Sequence, residues 1–322
     1  MKAIVQPKYG STDVLQLKEL ETPTVKDDEV LVRIHAASMN YGNLALLKGK
    51  PLLARLWSGL VKPKYPIPGG DIAGRVEAVG AHITQFQLGD EVFGDLSSDG
   101  WGGFAEYVAA PEHSLVRKPV TVSFEEAAAV PMAAVTALQA LRDKGDIQAG
   151  QDVLIYGASG GVGTFAVQLA KSFGATVTAV CSTRHVDLVQ SLGADVVIDY
   201  KKEEFTRQTE QYDLILGVNG YQPLSVYKRA LKKNGTYVMV GGGGKQIAEA
   251  MMLGPWMSLF SQKKLKHVLQ KPNQKDLLVL KDLLQAGEIR SVIDCTFSFS
   301  EVPNAFAYFE QGHATGKVVI TI

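Results

Sequence analysis

From Val153 the chain reads Val153-Leu-Ile-Tyr-Gly-Ala158-Ser159-Gly160-Gly161-Val162-Gly163, then Thr-Phe-Ala-Val-Gln-Leu-Ala-Lys171. An apolar strand, a glycine turn and a helix follow in that order, an AxGxxG form of the dinucleotide fingerprint. The chemistry this pattern serves is phosphate capture. Gly160 lets backbone approach a pyrophosphate, Gly163 lets the helix lie close on the strand, and the N–H groups opening the helix face the phosphates. Ser159, Gly160, Gly161, Val162 and Gly163 are therefore the expected contacts of the turn. A tight turn that binds nothing is the plain alternative. A second strand ending at Cys181, about 20 residues on, argues against it.

Where that second strand ends, a site for NAD usually carries Asp or Glu to accept from the ribose 2′-hydroxyl. This chain has Cys181-Ser182-Thr183-Arg184-His185. Ser182 and Thr183 offer hydrogen-bond donors and Arg184 a fixed positive fork, so NADPH is expected in preference to NADH. A solvated Arg184 is the competing reading.

These residues need a scaffold, and the chain's 322 residues suggest two domains. Residues 1–120 read as short strands punctuated by turns: Lys2 to Gln6, Val14 to Leu20, Glu29 to Ala37, Ile72 to Val79, Glu91 to Gly94 and Phe104 to Ala109. That spacing predicts a β-rich domain with a partly open barrel. After Ser123-Phe-Glu-Glu126, a helix start, strands and helices alternate as in a parallel sheet covered on both faces. Mixed structure returns in the tail, with a helix over Val302 to Glu310 and a strand from Lys317.

Lys+Arg and Asp+Glu are both 33, which leaves no bulk charge for gripping nucleic acid. No apolar run approaches the roughly 18 residues of a membrane span. Cys181 and Cys295 lie in no CxxC spacing, and MKAIVQPKYG lacks an apolar leader core, so a cytoplasmic protein without disulfides is expected.

Several segments together resemble the medium-chain dehydrogenase/reductases, in their zinc-independent quinone oxidoreductase branch. They are Ala36-Ala-Ser-Met-Asn40, Pro68-Gly-Gly-Asp71-Ile-Ala-Gly-Arg-Val-Glu-Ala-Val-Gly80, Gly89-Asp-Glu-Val-Phe-Gly94, Gly102-Gly-Phe-Ala-Glu-Tyr107, Val135-Thr136-Ala137 and Leu192-Gly-Ala-Asp-Val-Val-Ile-Asp-Tyr200. The resemblance spans essentially the whole chain. It implies an α/β fold: a Rossmann doubly wound parallel sheet for NADPH over 124–271, plus a discontinuous GroES-like β-rich catalytic domain over 1–123 and 272–322. It also implies a homodimer, its Rossmann sheets joining edge to edge through the strand near Thr236 to Val240.

Further cofactor contacts come with the resemblance: Thr136 on the nicotinamide side, Tyr200 near the 2′-phosphate, Val218, Gly241 and Gly242 at the carboxyl edge of the sheet, and Lys317 from the tail. A packed helical Thr136 and a solvated Lys317 are the plain readings. Zinc members hold their ion with a Cys, a His-Glu pair and a further Cys or Asp. Here those positions read Asn40, Gly70-Asp71 and Met132, so no bound metal is expected.

Without a Lewis acid nothing lowers an alcohol's pKa, and reduction of a quinone or an enone is the easier chemistry. Asn40 and Tyr41 are the candidate donors to the acceptor oxygen, although the family's Asn-Pro-x-Asp reads Asn40-Tyr41-Gly42-Asn43 here. A capping Asn40 and a merely packed or surface Tyr41 are the alternatives. The leading expectation is an NADPH:quinone reductase. An enone or 2-alkenal reductase, or an NADPH-binding structural or regulatory protein, stands as the alternative. Leu52 to Leu60, with Trp57 and basic flanks, reads as packing near the substrate, alongside Met257.

Overall fold

The computed structural model of the chain describes residues 1–52, 55–203, 205, 209–241 and 262–322. It divides into two compact units, Met1–Met132 with Pro272–Ile322, and Ala133–Lys271.

In the first unit, β1 (Lys2–Val5) and β2 (Gln16–Glu19) form a small antiparallel sheet. A seven-stranded sheet holds β3 (Glu29–Ser38), β4 (Asp71–Val79), β5 (Glu91–Asp95), β6 (Tyr107–Pro111), β7 (Leu115–Arg117), β14 (Ile293–Ser298) and β15 (Lys317–Thr321). Its order is β14-β15-β3-β4-β5-β7, with β6 also on β3. Strand β3 alternates as a sheet with one buried face requires: Val30, Val32, Ile34 and Ala36 point inward. The chain's last strand lies antiparallel against β3, pairing Val319 with Ser38 and Ile320 with Ala37. Across this core Phe104 meets Phe306 edge to face, ring centres 5.9 Å apart at 84°.

The second unit carries six parallel strands: β8 (Asp152–Tyr156), β9 (Thr176–Cys181), β10 (Val196–Asp199), β11 (Tyr212–Gly217), β12 (Leu231–Met239) and β13 (Lys264–His267). The order β10-β9-β8-β11-β12-β13 is the doubly wound one, and strand order reverses between β8 and β11. Helices Gly161–Ser172, Val186–Ser191 and Leu224–Ala230 connect the strands. The central residues of β8, β9 and β11 are buried, Val153 to Ile155, Val177 to Cys181 and Leu214 to Gly217, which explains their near-continuous apolar sequences.

Differences from expectation have local causes. Val14 ends a 3-10 turn, so β2 begins at Gln16. Phe104 donates its N–H to Pro68 instead of a ladder, and β6 begins at Tyr107. Helix Phe124–Ala128 packs on β3 and β4, so the first unit extends to Met132, past the change of pattern at 124. The strand expected to offer a free sheet edge, Thr236 to Val240, is internal: Thr236 to Met239 pair with Lys264 to His267, and β13 is the outermost strand among the described residues.

Phe306→Ala should remove a fully buried ring and cost about 3–5 kcal/mol. A urea titration is expected to show the first unit's transition moving to lower denaturant.

Candidate functional site

At the end of β8 the glycine turn divides its work. Gly157 has φ +87°, and a Cβ there would stand 2.8 Å from the Asn219 nitrogen. A Cβ on Gly163 would stand 2.2 Å from the Gly157 carbonyl oxygen, so helix and turn touch through it. Gly160 differs. Its φ of −83° suits any residue, and the nearest atom to a Cβ there is 3.7 Å away. Neither its conformation nor its packing requires glycine, and the open space over it is what a ligand drawn up to the backbone would need.

Gly160 caps helix Gly161–Ser172, whose opening N–H groups, including those of Gly161, Val162 and Gly163, have no intrahelical acceptor, and whose first turn holds no acid. Ser159 precedes the cap. At the neighbouring strand ends, Val218 donates its N–H to Tyr156, and a Cβ on Gly241 would stand 2.7 Å from the Val218 oxygen. The turn, Val218 and Gly241 thus share the carboxyl edge at the switch point. Thr136 is buried on helix Pro131–Gln139 of the same unit. Gly242, Met257 and the Trp57 side chain lie outside the described residues.

The ribose end needs a correction. No acid ends β9, but Asp199 on β10 pairs in register with Cys181. Its Oδ2 accepts from the Thr183 hydroxyl at 2.7 Å, a bond that spends the hydroxyl's one proton. That bond, with the Lys201 N–H and the Lys202 ammonium, holds the Asp199 carboxyl below its ordinary range. Ser182 is buried and shares a hydrogen bond with His185 Nδ1 at 3.3 Å. Arg184 and Tyr200 are exposed beside it, with Lys201 and Lys202. The patch therefore mixes cations with acids, and only the parallel register reveals that Asp199 reaches Thr183.

In the first unit, Asn40 lies between β3 and helix Tyr41–Lys48 and is 7% exposed. Its N–H donates to Asn43 Oδ1 at 2.7 Å, so the side chain three residues into the helix holds the cap. Its Nδ2 donates to Asp71 Oδ2 at 2.8 Å, and its Oδ1 accepts from Lys317 Nζ at 2.6 Å. Asp71 also receives Ser38 Oγ at 3.1 Å, the Met132 N–H at 3.1 Å and Lys317 at 3.4 Å. Lys317 and Asp71 are 2% and 0% exposed, so Lys317 is a buried partner and no solvated strand start. Burial pushes the Asp71 carboxyl up and the Lys317 ammonium down, and each charge opposes the shift of the other.

This donor set does not fit zinc: Asn40, Gly70 and Met132 offer no thiolate or imidazole, and donors already occupy both Asp71 oxygens. Among the described residues, no three His, Cys, Asp or Glu side chains gather to hold a metal. Tyr41, 68% exposed, stands outside the cluster. Trp101, which sequence reasoning passed over, lies beside it at φ +63°. Its ring would meet a Cβ on Gly42 at 3.1 Å and one on Gly70 at 3.4 Å, so the indole uses space that side chains there would fill.

Gly160→Ala should leave stability within about 1 kcal/mol and weaken dinucleotide binding, because only the ligand needs the space. Gly163→Ala should instead lower stability by about 1–3 kcal/mol through overpacking. Thermal unfolding with and without dinucleotide separates the two.

Residues 26–120 match the family described as Alcohol dehydrogenase GroES-like domain, and residues 192–320 that described as Zinc-binding dehydrogenase. A chloroplastic quinone-oxidoreductase homolog of Spinacia oleracea is 38% identical, covering 99% of this chain and 98% of that protein. The chloroplastic NADPH-dependent alkenal/one oxidoreductase of Arabidopsis thaliana is 34% identical, covering 99% and 79%. The quinone oxidoreductase structure from Coxiella burnetii superposes with a TM-score of 0.88 at 30% identity, covering 100% and 99%. A glycine turn at the switch point of a doubly wound sheet and a GroES-like unit agree with these matches, and the chain belongs to the medium-chain dehydrogenase/reductase superfamily, as an oxidoreductase of its quinone oxidoreductase branch.

Proposed function

We propose that this protein reduces quinones with NADPH and without a catalytic metal. The observation that carries the reading is the Asn40–Asp71–Lys317 cluster, which puts hydrogen-bond donors and a buried cation where related enzymes place zinc ligands. Bound NADPH supplies a hydride to the acceptor. The residues that would hold it are the Ser159–Gly163 turn, Val218 and Gly241, with Ser182, Arg184 and Tyr200 toward the 2′-phosphate. The chain's part in the chemistry is to orient the acceptor and stabilise the negative charge that develops on its oxygen. Asn40 suits that task because it keeps one Nδ2 proton with no protein acceptor among the described residues. Trp101 supplies a flat apolar wall for a conjugated ring.

An enone acceptor takes the same hydride but needs a proton on carbon, and the 34%-identical alkenal/one oxidoreductase supports it as second reading. The proposal includes a cytoplasmic homodimer. Both cysteines are free, as a reducing compartment favours, and β13 is the outermost strand of the sheet among the described residues, the position suited to pairing.

Loss of reduced-nicotinamide absorbance after exhaustive chelation, with an ortho-quinone and a simple enone, tests the reading. Turnover of quinone with NADPH is expected, and absence of turnover with the quinone overturns it. Arg184→Gln should raise the KM for NADPH about tenfold and leave that for NADH nearly unchanged, the loss of one charge-assisted contact. Asp199→Asn should move the preference the other way, by removing a negative charge. Steady-state kinetics with both nucleotides reads each.

A further inference from the structure

The side chain of Asn40 is held from both ends by opposite charges. Its carbonyl oxygen accepts from the Lys317 ammonium at 2.6 Å, and its Nδ2 donates to the Asp71 carboxylate at 2.8 Å. Turning the amide over would set its NH2 against an ammonium and its oxygen against a carboxylate, two repulsive contacts, so one orientation is allowed. The two charges also fix each other, 3.4 Å apart with side chains 3% and 0% exposed. Ser38 Oγ and the Met132 N–H hold the carboxylate, while Asn43 Oδ1 holds the Asn40 backbone N–H.

A buried ion pair is weak evidence for stability, because desolvation offsets its attraction. Well-packed apolar residues would fill this space at no loss. What apolar residues could not do is orient an amide.

We propose that Asp71 and Lys317 are positioning residues that lock the Asn40 amide in one orientation, spending one Nδ2 proton on Asp71 and presenting the other as a fixed hydrogen-bond donor to the acceptor's oxygen. This inference rests on the reading of Asn40 as that donor. No bond is made or broken at Asn40, which keeps its proton throughout. Lys317 acts by withdrawing electron density from the amide oxygen, which strengthens the N–H as a donor. The arrangement suits an acceptor whose oxygen gains charge in the transition state and gives little to the ground state, so its effect falls on kcat.

The test uses the full chain with NADPH and an ortho-quinone. Asn40→Ala should lower kcat about a hundredfold or more, as loss of an oxyanion donor does. Asp71→Asn combined with Lys317→Gln removes both charges together and leaves none unpaired in the core. That double variant should lower kcat by about tenfold to a hundredfold, with the NADPH Kd from fluorescence quenching held within about twofold. Adding it to Asn40→Ala should cost little more, because all three residues act through one donor. If Asn40→Ala is slow and the double variant is not, the positioning role is overturned and the reading of Asn40 stands. If Asn40→Ala runs at full rate, the reading of Asn40 itself fails, and the positioning role with it. A raised NADPH Kd at unchanged kcat would make Lys317 a cofactor contact and overturn the proposal.

Should the double variant not fold, the native protein decides. Its Asn40 side-chain NH2 resonances, identified by their loss in Asn40→Ala, should be resolved, and one of the two should shift when hydroquinone binds. Two unshifted protons in the hydroquinone complex overturn the proposal.

Discussion

A carboxylate and an ammonium in contact, both shut away from water, set the terms for the rest of the first unit. Neither Asp71 nor Lys317 tolerates burial alone, so the strands that carry them must meet. Register brings them together: Ser38 on β3 pairs with Asp71 on β4 on one side and with Val319 on β15 on the other. The discontinuity of this unit has a physical reason in that meeting. The chain has to complete the parallel sheet and return, because the ammonium sits on the last strand.

The second unit obeys a different constraint. A parallel sheet covered by helices leaves its strand ends as the place where backbone meets solvent, and the glycines make that place hollow. Gly157 and Gly163 serve the protein's own geometry, while the space over Gly160 is open. One motif therefore contains two kinds of glycine, distinguishable by what a methyl group would strike.

The alternation of strands and helices in the second unit was legible because each of β8, β9 and β10 is a local run of apolar residues with a glycine or a helix start beside it. Strand β13 was not, since Lys-Leu-Lys-His carries no alternation strong enough to read and gains its place by pairing with β12. The candidate site divides in the same way. The turn of 159–163 works through neighbours in sequence and could be read directly. Asp199 reaches Thr183 only through the β9–β10 register, and Lys317 reaches Asn40 across 277 positions. Residue type alone made Lys317 look solvated, because lysine is so rarely buried without a partner. Trp101 was passed over because an indole between glycines looks like part of a turn until Gly42 and Gly70 are seen beneath its ring.

Cys181 and Cys295 are the chain's two cysteines, and burial shapes both. It pushes the Cys181 thiol up to about 11, helped by the Asp199 charge, and raises that of Cys295, helped by Asp294. The thiolate is the nucleophilic form of cysteine, so at neutral pH each sulfur stays protonated and inert. Quinones and enones are soft electrophiles that arylate or alkylate thiolates. Under the proposed function, both cysteines therefore meet such acceptors in the protonated form, the one that resists them.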